Sequence, residues 1–172
     1  MRAATQVPEA SALPRWLRLA AAIVPVVITA AIGSVATQAE IPGWYASLNK
    51  PSFNPPNWLF PVAWTVLYTM IAVSLWRLLG AMPRTGPSRE GWWLALAAFL
   101  VQLVLNAAWT PVFFTAHAIG SGLIVVAMLL VMVLWTIRLT WRFDRAAAWL
   151  LVPYAAWVAF ATLLNAAILR LN

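Results

Sequence analysis

The chain has 172 residues, of which 64% are hydrophobic and 9% charged, with a mean hydropathy of +0.85; soluble domains carry about 25% charged residues, so a water-soluble enzyme or binding module is excluded. The formal charge of +7 and pI of 11.4 do not point to nucleic acid, because the basic residues sit at the ends of apolar runs, where they set membrane topology. Cysteine is absent, which excludes disulfides, thiolate metal sites, iron–sulfur clusters and a cysteine nucleophile.

Four stretches carry no charge: 19–39, 51–76, 91–137 and 146–169. A spanning helix needs about 20 apolar residues, so the third run holds two spans, broken near Pro111–Gly122. The expectation is five helices, at roughly 16–38, 59–80, 91–113, 118–141 and 146–170. The runs are continuous and rich in Ala and Leu, unlike the short alternating strands of a β-barrel. The fold class is therefore an all-α integral membrane protein, a five-helix transmembrane bundle, with residues 1–15 as a disordered N-terminus and 16–172 as a single domain. All Lys and Arg except Lys50 and Arg170 fall in three groups, before the first helix, around the second connection and around the fourth. The positive-inside rule then puts the N-terminus in the cytoplasm and the C-terminus outside; the choice between inner and outer membrane stays open.

In chain order, Arg15 and Arg18 precede the first apolar run, in which Pro25 predicts a kink and Gly33–Ser34 a close-packing surface. A cleaved signal peptide is the rival reading of this run, although it exceeds the usual 7–15-residue apolar core. The connection from about Gln38 to Trp58 follows. Pro51, Pro55, Pro56 and Pro61 forbid a continuous helix over 49–57, and Trp44, Tyr45, Phe53, Trp58 and Phe60 are interleaved with them. So stiff and aromatic a segment is expected to cap a ligand cavity. Lys50 reads as a solvated interface charge or as a partner for an anionic ligand group.

In the second helix Trp64 and Tyr68 share a face. In the third, Gln102, Asn106 and Trp109 share one, and amides at mid-membrane must point into the bundle; interhelical hydrogen bonding and ligand contact are equally open. His117 reads as an exposed turn residue, with haem ligation the minority alternative. The fourth helix is almost purely aliphatic and reads as structural, while Trp135, Trp141 and Trp149 form an interfacial belt. The fifth carries the stripe Tyr154, Trp157, Ala161 and Asn165 behind Pro153. With the expected topology, Trp64, Asn106, Trp109, Ala161 and Asn165 converge in the outer half beneath the loop, around a cavity of indoles and a few amides. Such a pocket suits a flat, largely apolar ligand.

Three blocks now carry a resemblance: WYASLNKPSFNPPNWLFPVAWTVLY at 44–68, QLVLNAAWTPVFF at 102–114 and PYAAWVAFATLLN at 153–165. In order and spacing they resemble the TspO/MBR family of translocator and tryptophan-rich sensory proteins. The resemblance implies a five-helix bundle, often a homodimer, that binds porphyrins and, in animal relatives, cholesterol and benzodiazepine-type drugs. It carries pocket roles onto Tyr45, Trp64, Asn106, Trp157 and Ala161. The family's cholesterol motif is incomplete here, since 165–170 keeps Arg170 but has alanine at the tyrosine position.

The expected function is a tetrapyrrole-binding membrane sensor or regulator, with protoporphyrin or haem-type ligands and no obligatory cofactor or metal. The expected ligand set is Tyr45, Trp64, Tyr68, Gln102, Asn106, Trp109, Tyr154, Trp157, Ala161 and Asn165; membrane lipid and a second copy of the chain are the other expected partners. The alternatives are a porphyrin, lipid or sterol transporter, and an enzyme of light-dependent porphyrin breakdown using Trp64 and Trp157. Ala95 and Ala98 offer a close-approach surface for a homodimer or for packing inside the monomer.

Overall fold

The computed structural model describes residues 14–83 and 88–172; the expectation of disorder over 1–13, and the topological roles of Arg2 and Arg84, lie outside these. Seven α-helices follow in order: α1 Arg15–Gln38, α2 Trp44–Ser47, α3 Leu59–Gly80, α4 Ser88–Thr110, α5 Ile119–Thr140, α6 Arg145–Leu150 and α7 Val152–Leu171, with a π-helical turn Pro111–Thr115 continuing α4. Five segments are long and apolar enough to span a bilayer: α1, α3, α4 with its π turn, α5, and α6 with α7. This is the five-span all-α bundle that the charge-free runs imply, and helices satisfy their own backbone groups where no water can.

The boundaries have local causes. Arg15 opens α1 instead of closing a disordered segment. That helix runs on through Pro25, and Thr29 Oγ1 donates to the Pro25 carbonyl at 2.9 Å. Pro111 cannot donate within α4, and the chain widens there, with Ala116 N donating to Pro111 O at 2.9 Å in the i to i−5 pattern. The last span is two helices and not one. Pro153 removes the donor that would reach the Trp149 carbonyl, and the break falls at Leu151, immediately before Pro153 enters the first turn of α7.

Two ends of the bundle differ. One carries Arg15, Arg18, Arg77, Arg89, Arg138, Arg142 and Arg145 against Glu90 and Asp144. There Asp144 caps α6 by accepting from Ala147 N at 2.9 Å and pairs with Arg77 at 3.0 Å. Ser74 Oγ donates to Ala147 O, and Trp92 Nε1 to Leu78 O, each at 2.8 Å. The other end carries the 39–58 connection, called the lid here.

The core runs through α3, α4, α5 and α7 around Ile71, Leu75, Phe99, Leu129, Val133 and Tyr154. Ala95 and Ala98 are buried in it. The small residues offered for dimer contact are thus spent inside one copy of the chain. Large apolar residues such as Val35, Val104, Ile124, Val131 and Leu163 face outward, as a lipid-facing surface requires.

Candidate ligand cleft

The lid folds on itself before it folds on the bundle. α2 is one helical turn, and the proline-bearing segment after it is irregular, as its sequence dictates. Tyr45 Oη donates to Asn54 Oδ1 at 2.8 Å, which cross-links the two halves of the lid. Tyr45 is 4% exposed, and loss of solvent pushes its phenol up to about 12. Lys50 Nζ donates to the Ala46 and Leu48 carbonyls, at 3.2 and 3.0 Å, and lies 4.9 Å from the Tyr45 ring centroid. Its charge therefore serves the lid and is not simply solvated.

Two ties bind the lid to the helices. Asn49 N donates to Asn172 Oδ1 at 2.9 Å, and Asn172 Nδ2 returns to the Asn49 carbonyl at 3.0 Å. On the other side His117 Nε2 lies 2.9 Å from Glu40 Oε2, and its ring stacks on Trp44 at 4.3 Å and 13°. His117 has φ +53°, a left-handed conformation that turns the chain from the π turn into α5. His117 is the exposed turn residue expected, with its side chain 44% exposed, and carries this tie as well.

Beneath the lid lie two spaces. The larger is a cleft of about 810 Å³ between α1 and α3, closed at its back by Trp109, Thr110 and Phe114. Its half near the lid is lined by Tyr45, Phe60, Trp64, Tyr68 and Trp109, with Ser34, Thr37, Gln38, Asn57, Thr65 and Thr110 among them. Trp64 and Tyr68 stack at 5.1 Å and 26°. Its far half is aliphatic. The smaller space, about 40 Å³, is an aromatic niche formed by Tyr45, Phe60, Trp64, Trp109, Phe113, Phe114 and Trp157 with Ala161 and Asn165. Trp64 meets Trp157 edge to face at 6.5 Å across the boundary between the two.

The ten expected ligand residues therefore separate into three sets. Tyr45, Trp64 and Trp109 line both spaces, and Tyr68 lines the cleft. Trp157, Ala161 and Asn165 line only the niche. Asn165 is also a joint, since its Nδ2 donates to Ile119 O at 2.9 Å and its Oδ1 accepts from Trp109 Nε1 at 3.4 Å. Gln102, Asn106 and Tyr154 line neither space. Tyr68 Oη donates to Asn106 Oδ1 at 2.9 Å, and Asn106 Nδ2 donates to Tyr154 Oη at 2.8 Å, which ties α3, α4 and α7 together. The Gln102 amide, one turn from Asn106, is 1% exposed and makes no hydrogen bond.

The contribution of α1 escapes sequence reasoning. Ala30, Gly33, Ser34, Thr37 and Gln38 form a wall of the cleft. The signal was the run of small and polar residues in the second half of an otherwise aliphatic helix. A Cβ at Gly33 would sit at ordinary van der Waals distance, 3.5 Å, from Thr110 Oγ1, so the expected close-packing surface does not depend on glycine there.

Comparison with known proteins agrees with this architecture. The model of the TspO/MBR family matches residues 21–171. The chain is 42% identical over 129 residues to protein CrtK of Rhodobacter capsulatus, covering 75% of this chain and 78% of that protein. It is 40% identical over 129 residues to the tryptophan-rich sensory protein of Cereibacter sphaeroides, covering 75% and 77%. It is 33% identical over 144 residues to the human translocator protein, covering 82% of each.

Proposed function

The chain belongs to the TspO/MBR family of multi-pass membrane proteins, and from that premise we propose that it is a tetrapyrrole-binding sensor or regulator, which takes a flat macrocycle of protoporphyrin or haem type into the lid half of the cleft. The carrying observation is the stacked pair Trp64–Tyr68, set in a cleft wall with Tyr45, Phe60 and Trp109. Planar aromatic faces favour offset stacking with a planar ligand. The cleft volume lies within the roughly 300–1,000 Å³ usual for small-molecule sites.

The polar groups lining the cleft are neutral: hydroxyls, the Gln38 and Asn57 amides, and the indole and phenol donors. They bind and orient a ligand edge. Among the described residues no cluster of His, Asp and Glu could hold a metal. Lys50, the cation held over Tyr45 at the lid, lies outside the cleft lining. By the positive-inside bias the lid faces the side opposite the cytoplasm. The word "sensory" in the name of the Cereibacter relative supports a signalling role over a catalytic one.

The test is titration of the purified protein with protoporphyrin, in the dark and under light, followed by tryptophan fluorescence. Stacking on one ring contributes about 0.5–1.5 kcal/mol, so Trp64→Ala should weaken binding roughly two- to twelvefold. Trp157→Ala, which alters the niche wall only, should weaken it less. Unchanged affinity in Trp64→Ala would remove the cleft from the reading. A new absorbing product under light, lost in Trp64→Phe while binding survives, would replace a sensor by a photochemical enzyme.

A further inference from the structure

The far half of the cleft does not match the half beneath the lid. From Leu19 to Ala30 the α1 wall is aliphatic, and the α3 wall opposite is Ala72, Val73 and Trp76, with Thr69 turned inward on its own helix, donating to Thr65 O at 2.8 Å. Leu19, Ile23, Val27 and Val73 are each more than 40% exposed, so this half opens sideways toward lipid. Leu19 to Ala30 spans about 17 Å of helix, close to the hydrocarbon depth of one leaflet, about 15 Å. Apart from the Trp76 indole and the Thr69 hydroxyl, its lining offers no polar side chain to a flat ligand with polar edges.

A cation marks the mouth of this half. Gly80 lies one turn beyond Trp76 on the same face of α3, and the Arg18 side chain crosses from α1 to reach it. Arg18 Nη1 lies 2.5 Å from where a Cβ on Gly80 would sit, so the guanidinium packs directly against the glycine backbone. Arg18 Nε is buried and has no hydrogen-bond partner among the described residues. The neighbouring Arg77 is taken by Asp144, whereas no described carboxylate bonds Arg18. Arg15, one turn earlier on α1, adds a second charge on the side of Leu19 and Ile23.

We propose that this half of the cleft is a binding site for an anionic phospholipid of the leaflet at the arginine-rich end. One acyl chain lies between α1 and α3, and the phosphate meets Arg18 and Arg15. Charge complementarity selects this occupant over a neutral lipid: the bundle end carries seven described arginines against two carboxylates, and arginines at a membrane surface attract anionic headgroups.

The test uses the full chain, purified in mild detergent, with lipid retention read by native mass spectrometry after exchange with dioleoyl phosphatidylglycerol or dioleoyl phosphatidylcholine. The two lipids share their acyl chains and differ in net charge. Wild type should retain the anionic lipid about 25-fold better, from a factor of about five for each of two basic side chains near the headgroup. Arg18→Gln, which leaves Arg15, should bring the ratio down to about fivefold. Val27→Trp, which fills the groove from a lipid-exposed position, should reduce retention of both lipids while circular dichroism stays that of the wild type. Glycerol phosphate alone should not compete. Equal retention of the two lipids by wild type, an unchanged ratio in Arg18→Gln, full retention in folded Val27→Trp, or competition by free glycerol phosphate would each overturn the assignment. None of these readouts involves porphyrin, so failure here is separate from failure of the tetrapyrrole reading.

Discussion

Asn106 is the position at which structural and ligand roles can be told apart most sharply. Its amide accepts from Tyr68 Oη at 2.9 Å and donates to Tyr154 Oη at 2.8 Å, and its side chain lines neither space. Substitution by leucine keeps the approximate volume and removes both bonds. An interhelical hydrogen bond in a membrane protein contributes about 0.6 kcal/mol on average, so the two bonds alone predict a loss of about 1 kcal/mol. The orphaned hydroxyls add to this. Tyr154 is 0% exposed and is cut off from water, and an unsatisfied buried group costs about 1–3 kcal/mol. Tyr68 borders the cleft and can turn toward it. The expected total for Asn106→Leu is therefore about 2–4 kcal/mol, most of it from Tyr154. Adding Tyr154→Phe removes that orphan, so the double variant should be more stable than Asn106→Leu alone. Reversible unfolding in bicelles by steric trapping measures all three. Protoporphyrin titration of the folded fraction should change little. If Asn106→Leu is as stable as wild type but loses porphyrin binding, the amide is a ligand contact and the network argument is wrong.

Other substitutions test the lid and the helix joints. The Tyr45 phenol is raised to about 12 from an ordinary value near 10 by burial; because the folded form favours the protonated phenol, lid stability should be level below about pH 10 and fall between 10 and 12. That fall should be absent in Tyr45→Phe when followed by hydrogen exchange of the lid amides. Glu40→Gln removes the acceptor charge facing His117; with side chains 25% and 44% exposed the pair contributes at most about 1 kcal/mol, so hydrogen exchange over 39–48 should rise with little change in global stability. Asp144→Ala should cost about 0.5–2 kcal/mol from the lost helix cap as well as the Arg77 pair, whereas Asp144→Asn, which still caps, should lose only the pair. A Cβ at Gly122 would lie 3.1 Å from Phe113 Cδ2 and 3.2 Å from Asn165 Oδ1, so Gly122→Ala should destabilise the joint between α5, α7 and the π turn by about 1–3 kcal/mol, read by the same unfolding assay.

The number and approximate limits of the spans were legible because charge and proline are decisive inside a membrane: four charge-free runs and the Pro111 break specify five helices almost unaided. The stiffness of the lid was legible from the same prolines. Less legible was what polar side chains do once buried. Gln102, Asn106 and Tyr154 all announce an inward face by periodicity, but whether an inward amide meets a ligand or another helix depends on the relative rotation of helices, which no local pattern encodes. The Asn49–Asn172 and Glu40–His117 ties join residues 123 and 77 positions apart, and single polar residues carry no signal of such pairing. The two-helix form of the last span follows from Pro153, yet its hydropathy is continuous. The small residues Ala95 and Ala98 signal close approach without saying to which neighbour.

The first helix shows how the site depends on this distinction. Only Ala22, Val26 and Thr29 of α1 are buried, and it packs on α3, α4 and the π turn without contributing to the part of the core shared by α5 and α7. It is the least embedded of the five spans. Yet it supplies one wall of the cleft for nearly its whole length, from Leu19 to Gln38. The wall opposite, on α3, is fixed by Ile71, Leu75 and Leu78 in the core and by the Tyr68–Asn106 bond. The cleft therefore has one rigid wall bearing the stacked Trp64 and Tyr68, and one wall held by few buried contacts. Low local embedding is where local opening costs least. An occupant that touches both walls should therefore draw α1 toward α3, and the lid should report it, because Glu40 follows α1 by two residues and lies 2.9 Å from His117 ahead of α5. Hydrogen exchange of the 39–48 amides should then slow when protoporphyrin is added, and unchanged exchange at saturating ligand would show that the cleft and the lid act independently.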